Sequence, residues 1–357
     1  MKVLRTVSEL GQLPSGCVLT IGNFDGVHVG HQQNIKVAHD LAVLENTTLA
    51  VMTFEPHPVA ILHPEKAPGV LTPLPLKIRL IENCSVDYLI VLRDTASLLR
   101  LPPVDFVDKF LLKDVRPVAL VEGDDFNFGA NRAGNIETLK QMAEPEGFDV
   151  VVVPSKMVKL PTGQSVRVSS TTIRYMLQSG HVADAAILLG RQYRLIGQII
   201  PGRGKGRQIG FPTLNMQIPS QIIPQQGVYA GFALIGASQD DVCKFDNRLP
   251  GGLSSVAPAL HSTQCGGGLA KEEALAKSGK PSVFSVGQAV TFGDQHSQLI
   301  EAHILDTELG DTTGQWMAMD FVDHIRIQSR FESPEALAAQ IARDCLAAKQ
   351  ILQSVKP

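Results

Sequence analysis

Residues 17–44 read CVLTIGNFDGVHVGHQQNIKVAHDLAVL, and this stretch decides the fold of the first half of the chain. Its apolar run, residues 17–21, is followed at once by a glycine-containing turn and then by a segment with helical spacing, residues 32–44. Apolar runs without alternation are typical of strands that are buried on both faces of a parallel sheet. A buried strand, a turn and a helix in this order therefore predict one unit of an α/β domain.

The same order of elements recurs through the first half of the chain. A further helical candidate is residues 104–112, and the pattern closes with two short helices at residues 171–178 and 182–189, each ended by a glycine. We predict a doubly wound, Rossmann-like α/β/α domain over residues 1–190, whose ligands bind beyond the carboxyl ends of the strands. The other apolar runs predicted to be strands are residues 49–54, 88–92, 118–121 and 150–153.

From Tyr193 onward the chain is predicted to form a second domain, residues 191–357. Short β-rich segments separated by Gly and Pro clusters are typical of a small barrel or sandwich. A final helix begins after Ser333, a good N-cap, and runs to about residue 354. An insert at about residues 236–281 is interpreted as a solvated loop, with a functional loop as the alternative. The β-rich segments are residues 194–200, 228–235, 283–286, 299–305 and 317–327.

The composition excludes several classes of protein. Of the 357 residues, 44% are apolar and 19% are charged, which is ordinary for a folded chain and unlike a disordered one. The formal net charge of −3 supplies no overall field for nucleic acid or an anionic membrane. Five scattered cysteines favour reduced thiols, and no apolar stretch approaches the roughly eighteen residues of a membrane span. We expect a cytoplasmic protein without membrane or nucleic-acid partners.

The turn after the first strand carries the residues best suited to phosphate chemistry. Glycines such as Gly22 and Gly30 let the backbone approach a ligand, and a helix N-terminus offers N–H groups and a positive dipole to a phosphate. His28 and His31 lie at this helix start, where two imidazoles can donate hydrogen bonds to phosphate oxygens during phosphoryl or nucleotidyl transfer. The alternative, two ordinary surface or capping histidines, is disfavoured because the pattern His-x-Gly-His at a strand-to-helix turn is specific.

Three further segments that follow predicted strands point to the same chemistry. Residues 54–58, FEPHP, form a rigid turn that contains His57, and residues 122–129, EGDDFNFG, contain Asp125. Residues 168–174, VSSTTIR, place hydroxyls and an arginine at a helix start, which predicts a second phosphate clamp. A metal site formed by the three histidines is disfavoured, because no carboxylate lies beside them at ligand spacing.

These motifs resemble the nucleotidylyltransferase superfamily, and GNFDGVHVGHQ, TFEPHP, EGDDFNFG and SSTTIR resemble the FMN adenylyltransferase domain of the bacterial bifunctional riboflavin kinase/FAD synthetase family. The resemblance covers residues 15–190. It implies that His28 and His31 assist the attack of the FMN phosphate on the α-phosphorus of ATP, which releases pyrophosphate. Among the binding residues that it implies, some order the site (Asn23, Asp25), some hold ATP phosphates (Ser170, Arg174), and the others are Gly22, Phe24, Gly30, His57 and Asp125.

The second domain opens with a glycine-rich basic loop, residues 202–210, GRGKGRQIG. Such a loop is expected to cover phosphates, although it matches neither the P-loop nor G-x-G-x-x-G, and taken alone it is also compatible with an RNA contact. Thr213 and Asn215 then alternate on one predicted strand face, where they offer two hard oxygen ligands to Mg²⁺. The loop residues predicted to bind phosphate are Gly202, Gly204, Lys205, Gly206, Arg207 and Gly210.

PTLN at residues 212–215 and LIEAHIL at residues 299–305 resemble the riboflavin kinase signature of the same family. The resemblance implies that Glu301 takes the proton from the riboflavin 5′-hydroxyl as the oxygen attacks the γ-phosphate of ATP, and that Arg326 contacts a substrate. A surface strand glutamate is the alternative for Glu301. The chain departs from the family pattern near the expected flavin site, at residues 285–292, at residues 311–314 and at Gln328.

The leading hypothesis is an enzyme of FAD biosynthesis that phosphorylates riboflavin to FMN and adenylylates FMN to FAD, with ATP as a substrate and Mg²⁺ as a cofactor. Its expected partners are these small molecules. Two alternatives are an adenylyltransferase whose barrel binds flavin without catalysis and another nucleotidylyltransferase with His-x-Gly-His, such as a cytidylyltransferase. A third is an RNA-binding module that uses Arg203, Lys205 and Arg207, which the net negative charge and the lack of interleaved aromatic residues disfavour.

Overall fold

The described residues form two compact units. The first unit holds Met1–Pro68 and Lys77–Ser169, and the second holds Gly69–Leu76 and the described chain from Ser170 onward. The structure, a computed structural model, describes residues 1–92, 96–202, 204–244, 279–289, 297–307 and 309–355.

A six-stranded parallel sheet runs through the first unit, in the order β1–β4–β3–β2–β5–β8. The five predicted apolar runs are confirmed as strands, whereas β1 was not predicted because three residues carry no pattern. The order reverses between β2 and β5, and open α/β sheets bind ligands beyond the carboxyl ends of the strands at such a reversal. The strands of this sheet are β1 Lys2–Leu4, β2 Val18–Ile21, β3 Leu49–Phe54, β4 Tyr88–Leu92, β5 Ala119–Gly123 and β8 Asp149–Val153. Two small antiparallel sheets consist of β6 Asn127–Phe128 paired with β7 Gly134–Asn135, and of β9 Met157–Lys159 paired with β10 Ser165–Arg167.

Helices connect these strands. The helix predicted after the first strand begins at Val29, three residues earlier than its apolar spacing indicated, because His28 caps it. The helix predicted over residues 104–112 forms as a short turn that continues into a π-helix, Phe106–Val115. The α-helices are α1 Val29–Leu44, α2 Pro58–Leu62, α3 Leu74–Glu82, α4 Ala96–Leu99, α5 Pro103–Asp105 and α6 Ile136–Glu146, and the 3-10 helices are Val7–Gln12, Pro64–Lys66 and Ala130–Arg132.

Apolar side chains from neighbouring strands form the core of the first unit. Leu19, Met52 and Leu120 are fully buried in one cluster, against which Phe106 of the π-helix packs. Burying a side chain of this size stabilises a fold by roughly 1.5–3 kcal/mol relative to leaving it exposed. Burial also raises the pKa of the Cys17 thiol to about 12, so this cysteine stays protonated and unreactive at neutral pH.

Six antiparallel strands of the second unit close into a barrel, in the order β11–β12–β15–β14–β13–β16. A barrel was one of the two architectures that the sequence predicted, and all five predicted β-rich segments are strands of it. Closure pairs strands that would otherwise present open edges to solvent. The strands are β11 Tyr193–Ile200, β12 Leu214–Met216, β13 Gly227–Gly236, β14 Lys280–Ala289, β15 Ser297–Ile304 and β16 Trp316–Arg326.

A buried ion pair joins two strands of the barrel. Arg194 on β11 and Asp320 on β16 are register partners, and their side chains are about 1% exposed. Arg194 donates from Nε and Nη2 to the two carboxylate oxygens, over 2.7 and 2.6 Å, and from Nη1 to the carbonyl of Val242. Two buried charges persist only when they are paired and hydrogen-bonded in this way, so the pair fixes the register of β11 against β16.

The predicted C-terminal helix is confirmed over Pro334–Gln353, and Ser333 caps it by accepting a hydrogen bond from the N–H of Ala336. Its residues Ala348 and Leu352 pack against apolar side chains of β13, β14 and β16. Residues 245–278 of the predicted insert lie outside the described residues. The remaining helices are α7 Ser170–Gln178, α8 Val182–Leu189, α9 Lys205–Gln208 and α10 Gln239–Cys243.

Residues 69–76 belong to the second unit because their backbone is tied to it. Gln221 accepts a hydrogen bond from the N–H of Ile196 in β11 and donates one to the carbonyl of Leu71, over 3.1 Å. Arg174 of α7 donates from Nε to the carbonyl of Gly69, over 2.7 Å. The second compact unit also includes α7 and α8. The functional boundary near residue 190 stays a prediction.

Candidate active sites

His28 occupies the N-cap position of α1. Its ring is buried, and Nδ1 accepts a hydrogen bond from the backbone N–H of His31 over 3.1 Å. A neutral imidazole that accepts at Nδ1 carries its proton on Nε2. The cap therefore fixes the tautomer of His28 and leaves Nε2 as the donor.

The two histidine rings of this helix start are stacked. Their centroids lie 3.5 Å apart with an interplanar angle of 14°, and the ring of Phe24 meets His31 edge-on at 5.1 Å. A Cβ at Gly30 would lie 3.2 Å from Nδ1 of His28, so the glycine leaves the room that this ring occupies. A Cβ at Gly22 would lie 3.2 Å from the ring of Phe24. The predicted pair and its glycines are thus brought together in one turn.

The turn before α1 is fixed by hydrogen bonds and carries backbone strain. Phe24 and Val27 have φ values of 44° and 39°, which non-glycine residues rarely adopt and which cost about 1–3 kcal/mol each. The hydroxyl of Thr53 on β3 donates to the carbonyl of Asn23 over 3.0 Å, and Asp25 is buried within the turn. The carbonyl of Val27 accepts a hydrogen bond from the side chain of Gln32. Strain that the surroundings enforce is typical of ligand-binding turns.

A cavity of about 660 Å³ opens beyond the carboxyl ends of β2, β3 and β5. The predicted residues in its wall are Gly22, Asn23, Phe24, His31, His57 and Asp125. Five phenylalanine rings give it an aromatic side, with the Phe106 and Phe128 centroids 5.5 Å apart and the Phe126 and Phe128 centroids 5.8 Å apart. The five are Phe24, Phe54, Phe106, Phe126 and Phe128.

Glu122, the penultimate residue of β5, is a member of the cavity wall that we did not single out from the sequence. It is 2% exposed, and its Oε1 accepts a hydrogen bond from the N–H of Ile21 over 2.7 Å. Burial raises the pKa of this carboxyl well above its usual range, and the N–H of Ile21 opposes that shift. A glutamate at the end of an otherwise apolar run, directly before Gly123, is the signal that would have identified it.

Two other predicted residues of this site have local partners. His57 caps α2, since its Nδ1 accepts a hydrogen bond from the N–H of Val59 over 3.2 Å. Asp125 is exposed and forms an ion pair with Arg167 over 2.7 Å. Hydrogen bonds from Ser155 hold the pKa of the neighbouring Asp124 below its usual range. Both predicted residues thus have defined positions in the cavity wall.

The predicted second phosphate clamp lies at the start of α7, in the second unit. Ser170 is the first residue of this helix, and Arg174 follows in its first turns, where its Nε donates to the carbonyl of Gly69.

Among the residues that the structure describes, no group of three or more His, Cys, Asp or Glu side chains is arranged to hold a metal ion. The three histidines predicted not to form a metal site are His28, His31 and His57.

The predicted kinase residues meet on adjacent strands of the barrel. Asn215 on β12 is the register partner of Glu301 on β15, and Thr213 precedes β12 by one residue. The hydroxyl of Thr213 donates to Oε1 of Glu301 over 3.2 Å, and Asn215 is buried. Three hard oxygen-bearing side chains are therefore close together.

The glycine-rich loop folds tightly beside these residues. A Cβ at Gly202 would lie 2.0 Å from the side chain of Asn215, and one at Gly206 would lie 2.3 Å from the carbonyl of Phe211. The clash at position 206 is with backbone, so only glycine fits there, whereas a side chain at position 202 would displace the side chain of Asn215. Gly204 and Gly210 have φ values of +70° and +86°, so they too use the left-handed region. Between them the short helix α9 contains Lys205 and Arg207, and the side chain of Lys205 lies outside the described residues, as does all of Arg203.

The positions near the expected flavin site have structural partners in this chain. Arg326 donates from Nε and Nη2 to the carboxylate of Asp344 in the C-terminal helix, over 2.9 and 2.7 Å. Gln328 donates to the hydroxyl of Ser285 over 2.9 Å, and Ser285 is the other register partner of Glu301. The unusual Gln328 therefore supports the strand beside the predicted base. Residues 290–292 of the departing segment lie outside the described part of the chain.

A parallel α/β sheet with a histidine pair at a helix start, and a barrel with a glutamate beside Thr-x-Asn, define a two-domain phosphate-group transferase. The family described as FAD synthetase matches residues 11–172, and the family described as riboflavin kinase matches residues 189–352. The chain belongs to the bifunctional riboflavin kinase/FMN adenylyltransferase family, as its motifs predicted. It is therefore an enzyme of FAD biosynthesis with both transferase domains.

Similar proteins cover the whole chain. The bifunctional riboflavin kinase/FMN adenylyltransferase of Escherichia coli strain K12 is 34% identical over 100% of both chains. The Haemophilus influenzae protein of the same description is 30% identical over 99% of this chain and 100% of its own. A solved structure described as a macrolide-efflux protein from Streptococcus pneumoniae has a TM-score of 0.75 and 25% identity, and covers 97% of this chain and 98% of that one. Within the described residues, no helix has the length and apolarity needed to cross a membrane.

Proposed function

We propose that adenylyl transfer takes place at the histidine pair of the first unit. A phosphate oxygen of FMN attacks the α-phosphorus of ATP, the bond from that phosphorus to the β-phosphate oxygen breaks, and pyrophosphate leaves. The geometry of His28 is the observation that supports this step most strongly. Because Nδ1 accepts the N–H of His31, the neutral ring carries its proton on Nε2, and we propose that this N–H donates to the phosphate oxygens as negative charge builds on them. The N-terminus of α1 adds its dipole at the same point.

The aromatic cavity is the proposed site of the flavin ring. The ring system of FMN is flat and largely apolar, and a pocket of about 660 Å³ with five phenylalanine side chains suits it. In this proposal Asn23 and Asp25 order the turn, and His57 and Asp125 contribute polar groups from the wall. Ser170 and Arg174 at the start of α7 hold the ATP phosphates through a hydroxyl and a guanidinium.

Riboflavin phosphorylation is proposed for the barrel. Glu301 takes the proton of the riboflavin 5′-hydroxyl as that oxygen attacks the γ-phosphorus of ATP, the bond from the γ-phosphorus to the β-phosphate oxygen breaks, and ADP leaves. Backbone N–H groups of Gly202, Gly204, Gly206 and Gly210, with Lys205 and Arg207, are proposed to cover the phosphates. Arg326, held by Asp344, is the proposed substrate contact at the end of β16.

The donor set of the barrel fits Mg²⁺. Thr213 and Asn215 supply hard oxygens, and Mg²⁺ typically takes one or two protein ligands together with substrate phosphates and water. Thr213 Oγ1 and Asn215 Oδ1 would hold the ion, which when bound neutralises phosphate charge. Since Thr213 also donates to Glu301, the same hydroxyl orients the proposed base.

Product analysis tests both halves of the proposal. Purified chain supplied with FMN, ATP and Mg²⁺ is expected to form FAD and pyrophosphate, and chain supplied with riboflavin is expected to form FMN first and FAD later. Absence of FAD from supplied FMN would remove the assignment of the first unit, and absence of FMN from riboflavin would remove that of the barrel. We propose the cytoplasm as the place of both reactions, in line with the odd number of scattered cysteines.

A further inference from the structure

Glu122 lies where two neighbouring strands of the parallel sheet separate. Strands β2 and β5 pair only at Val18 with Ala119 and at Leu19 with Leu120. Two residues further along β2, the N–H of Ile21 donates to the Glu122 side chain rather than to the backbone of β5. The carboxyl group therefore replaces a ladder hydrogen bond at the point where the order of the sheet reverses and the cavity opens.

The surroundings of Glu122 favour its neutral form. It is 98% buried, and the hydrogen bond that it accepts in the described part of the chain comes from a neutral donor, the backbone N–H of Ile21. Burial raises the pKa of the carboxyl well above its usual range, and only the N–H of Ile21 acts in the opposite direction. A protonated carboxyl group carries one O–H donor as well as acceptors.

Only one oxygen of the carboxyl group has a partner in the described part of the chain. Oε1 accepts the N–H of Ile21, whereas Oε2 makes no hydrogen bond there, although Glu122 belongs to the cavity wall. Since Glu122 lines a cavity of ligand size, its second carboxyl oxygen is placed to meet a polar group of a ligand there. The wall beside it is aromatic, and a flavin ring carries carbonyl oxygens and ring nitrogens that accept hydrogen bonds.

We propose that Glu122 is a substrate-binding residue of the first site, which holds Ile21 through Oε1 and donates a hydrogen bond from protonated Oε2 to an acceptor of the flavin ring. This inference rests on the proposed function, because it requires FMN in the cavity. Ionisation of Glu122 removes the donor and places a negative charge against an acceptor. FMN binding therefore weakens as the pH rises through the raised pKa of Glu122.

Two substitutions separate this role from the others. Glu122→Gln keeps an acceptor for Ile21 and a donor for the flavin but does not ionise. Glu122→Met has a similar volume and offers neither. The other titratable or charged groups of the cavity wall are His31, His57, His63, Asp125 and Arg132. Both variants retain these groups, as they retain the titration of FMN itself, so a difference between Glu122→Gln and the wild type reports Glu122 alone.

The test is the kcat and the two KM values of FAD formation, measured for all three chains over the whole pH range in which the wild type stays folded. At the acid end of that range Glu122→Met is expected to raise the KM for FMN about tenfold, with the KM for ATP and kcat changed less than about threefold. Glu122→Gln is expected to match the wild type there and to lack its rise in the KM for FMN with increasing pH.

Several results would overturn the proposal. The first is an unchanged KM for FMN in Glu122→Met. The second is an equal rise of the KM values for FMN and ATP in that variant, which would indicate a role limited to holding Ile21. The third is the same rise of the KM for FMN with pH in Glu122→Gln as in the wild type. If Glu122→Met does not fold, the pH comparison of Glu122→Gln with the wild type decides alone. A wild-type chain that makes no FAD from FMN at any pH would instead overturn the proposed function, and this inference with it.

Discussion

In the first site the paired histidines come from four consecutive residues, whereas in the barrel Thr213 and Glu301 meet across 88 residues of chain. His28 is oriented by a hydrogen bond within its own helix turn, which the local sequence dictates. Glu301 is oriented by strand pairing, which depends on the closure of the whole barrel. A site built within one turn can be recognised from residue spacing, and a site built by strand register cannot.

The two sites also differ in how closely they are enclosed. His28 is 5% exposed beside a cavity of about 660 Å³, and the strained turn before it is held by Thr53. The proposed kinase residues instead lie next to a loop in which Gly206 approaches the backbone of Phe211 too closely for any side chain. Burial therefore holds the histidine of the first site in place. In the second site, the position of the side chains depends on the close approach of the glycine-rich loop to the residues beside it.

Replacing Glu301 by Gln is expected to have the largest effect. Glu301 is the proposed general base, and loss of such a base costs typically 10²–10⁴-fold in rate, so kcat for FMN formation from riboflavin is expected to fall about 10³-fold. Gln keeps an oxygen for the hydroxyl of Thr213, and the fold is expected to survive. Exposed Glu332→Gln serves as the matched control. Full kinase activity in Glu301→Gln would show that another group takes the proton.

Replacing His28 by Ala tests the opposite site. His28 is the proposed preorganised donor to phosphate, and the loss of such a donor costs about 10²–10³-fold, so kcat for FAD formation from FMN is expected to fall about 10²-fold. His39→Ala, on the same helix α1 but outside the cavity wall, is the control and should leave the rate near that of the wild type. A small effect at His28 alone would restrict the histidine to its capping role.

Replacing Asp344 by Ala tests the support of the barrel rather than its chemistry. The carboxylate is 3% exposed and binds Arg326, whose side chain is 21% exposed. Because loss of one partner leaves the other charge poorly paired, the unfolding free energy of the barrel is expected to fall by about 2 kcal/mol. The single tryptophan, Trp316 on β16, reports this transition by its fluorescence in urea.

Asp306→Asn is the control for that measurement. Asp306 binds Lys349 of the same helix over 2.8 Å, but it is 75% exposed, so its removal is expected to leave the urea midpoint almost unchanged. Equal destabilisation by both substitutions would show that burial of the Arg326 pair is not what matters.

Replacing Gly30 by Ala is expected to have the smallest effect on the reaction. The added Cβ would lie 3.2 Å from Nδ1 of His28 and displace the ring slightly, so FAD formation is expected to slow about tenfold. Gly11→Ala adds a Cβ with no heavy atom within 4 Å and should be silent. An unchanged rate in Gly30→Ala would show that the ring position tolerates movement.

The sequence predicted much of this fold because the strands are uniform apolar runs. It also predicted the histidine pair, whose spacing is local. It did not predict the π-helix, since the spacing of Phe106, Val107, Phe110 and Leu111 fits an ordinary helix equally well. Glu122 was missed because its burial follows from the separation of β2 and β5, which is a property of the assembled sheet.

The barrel site illustrates the same limit. Thr213 and Asn215 could be placed on one strand face, but their approach to Glu301 follows from the pairing of β12 with β15. Only the resemblance to a family connected these residues in advance. The ion pair of Arg326 with Asp344 could not be predicted either, since the position of the C-terminal helix against β16 follows from the packing of the whole barrel.

The central claim, that one chain holds two separate transferase sites, is tested most directly by mixing the two inactive variants. His28→Ala chain supplied with riboflavin, ATP and Mg²⁺ should stop at FMN, and Glu301→Gln chain should leave riboflavin unchanged. An equimolar mixture should convert riboflavin to FAD, because FMN released by the first variant is a substrate for the second. Loss of both activities in either single variant, or a mixture that forms no FAD although FMN accumulates, would contradict the claim.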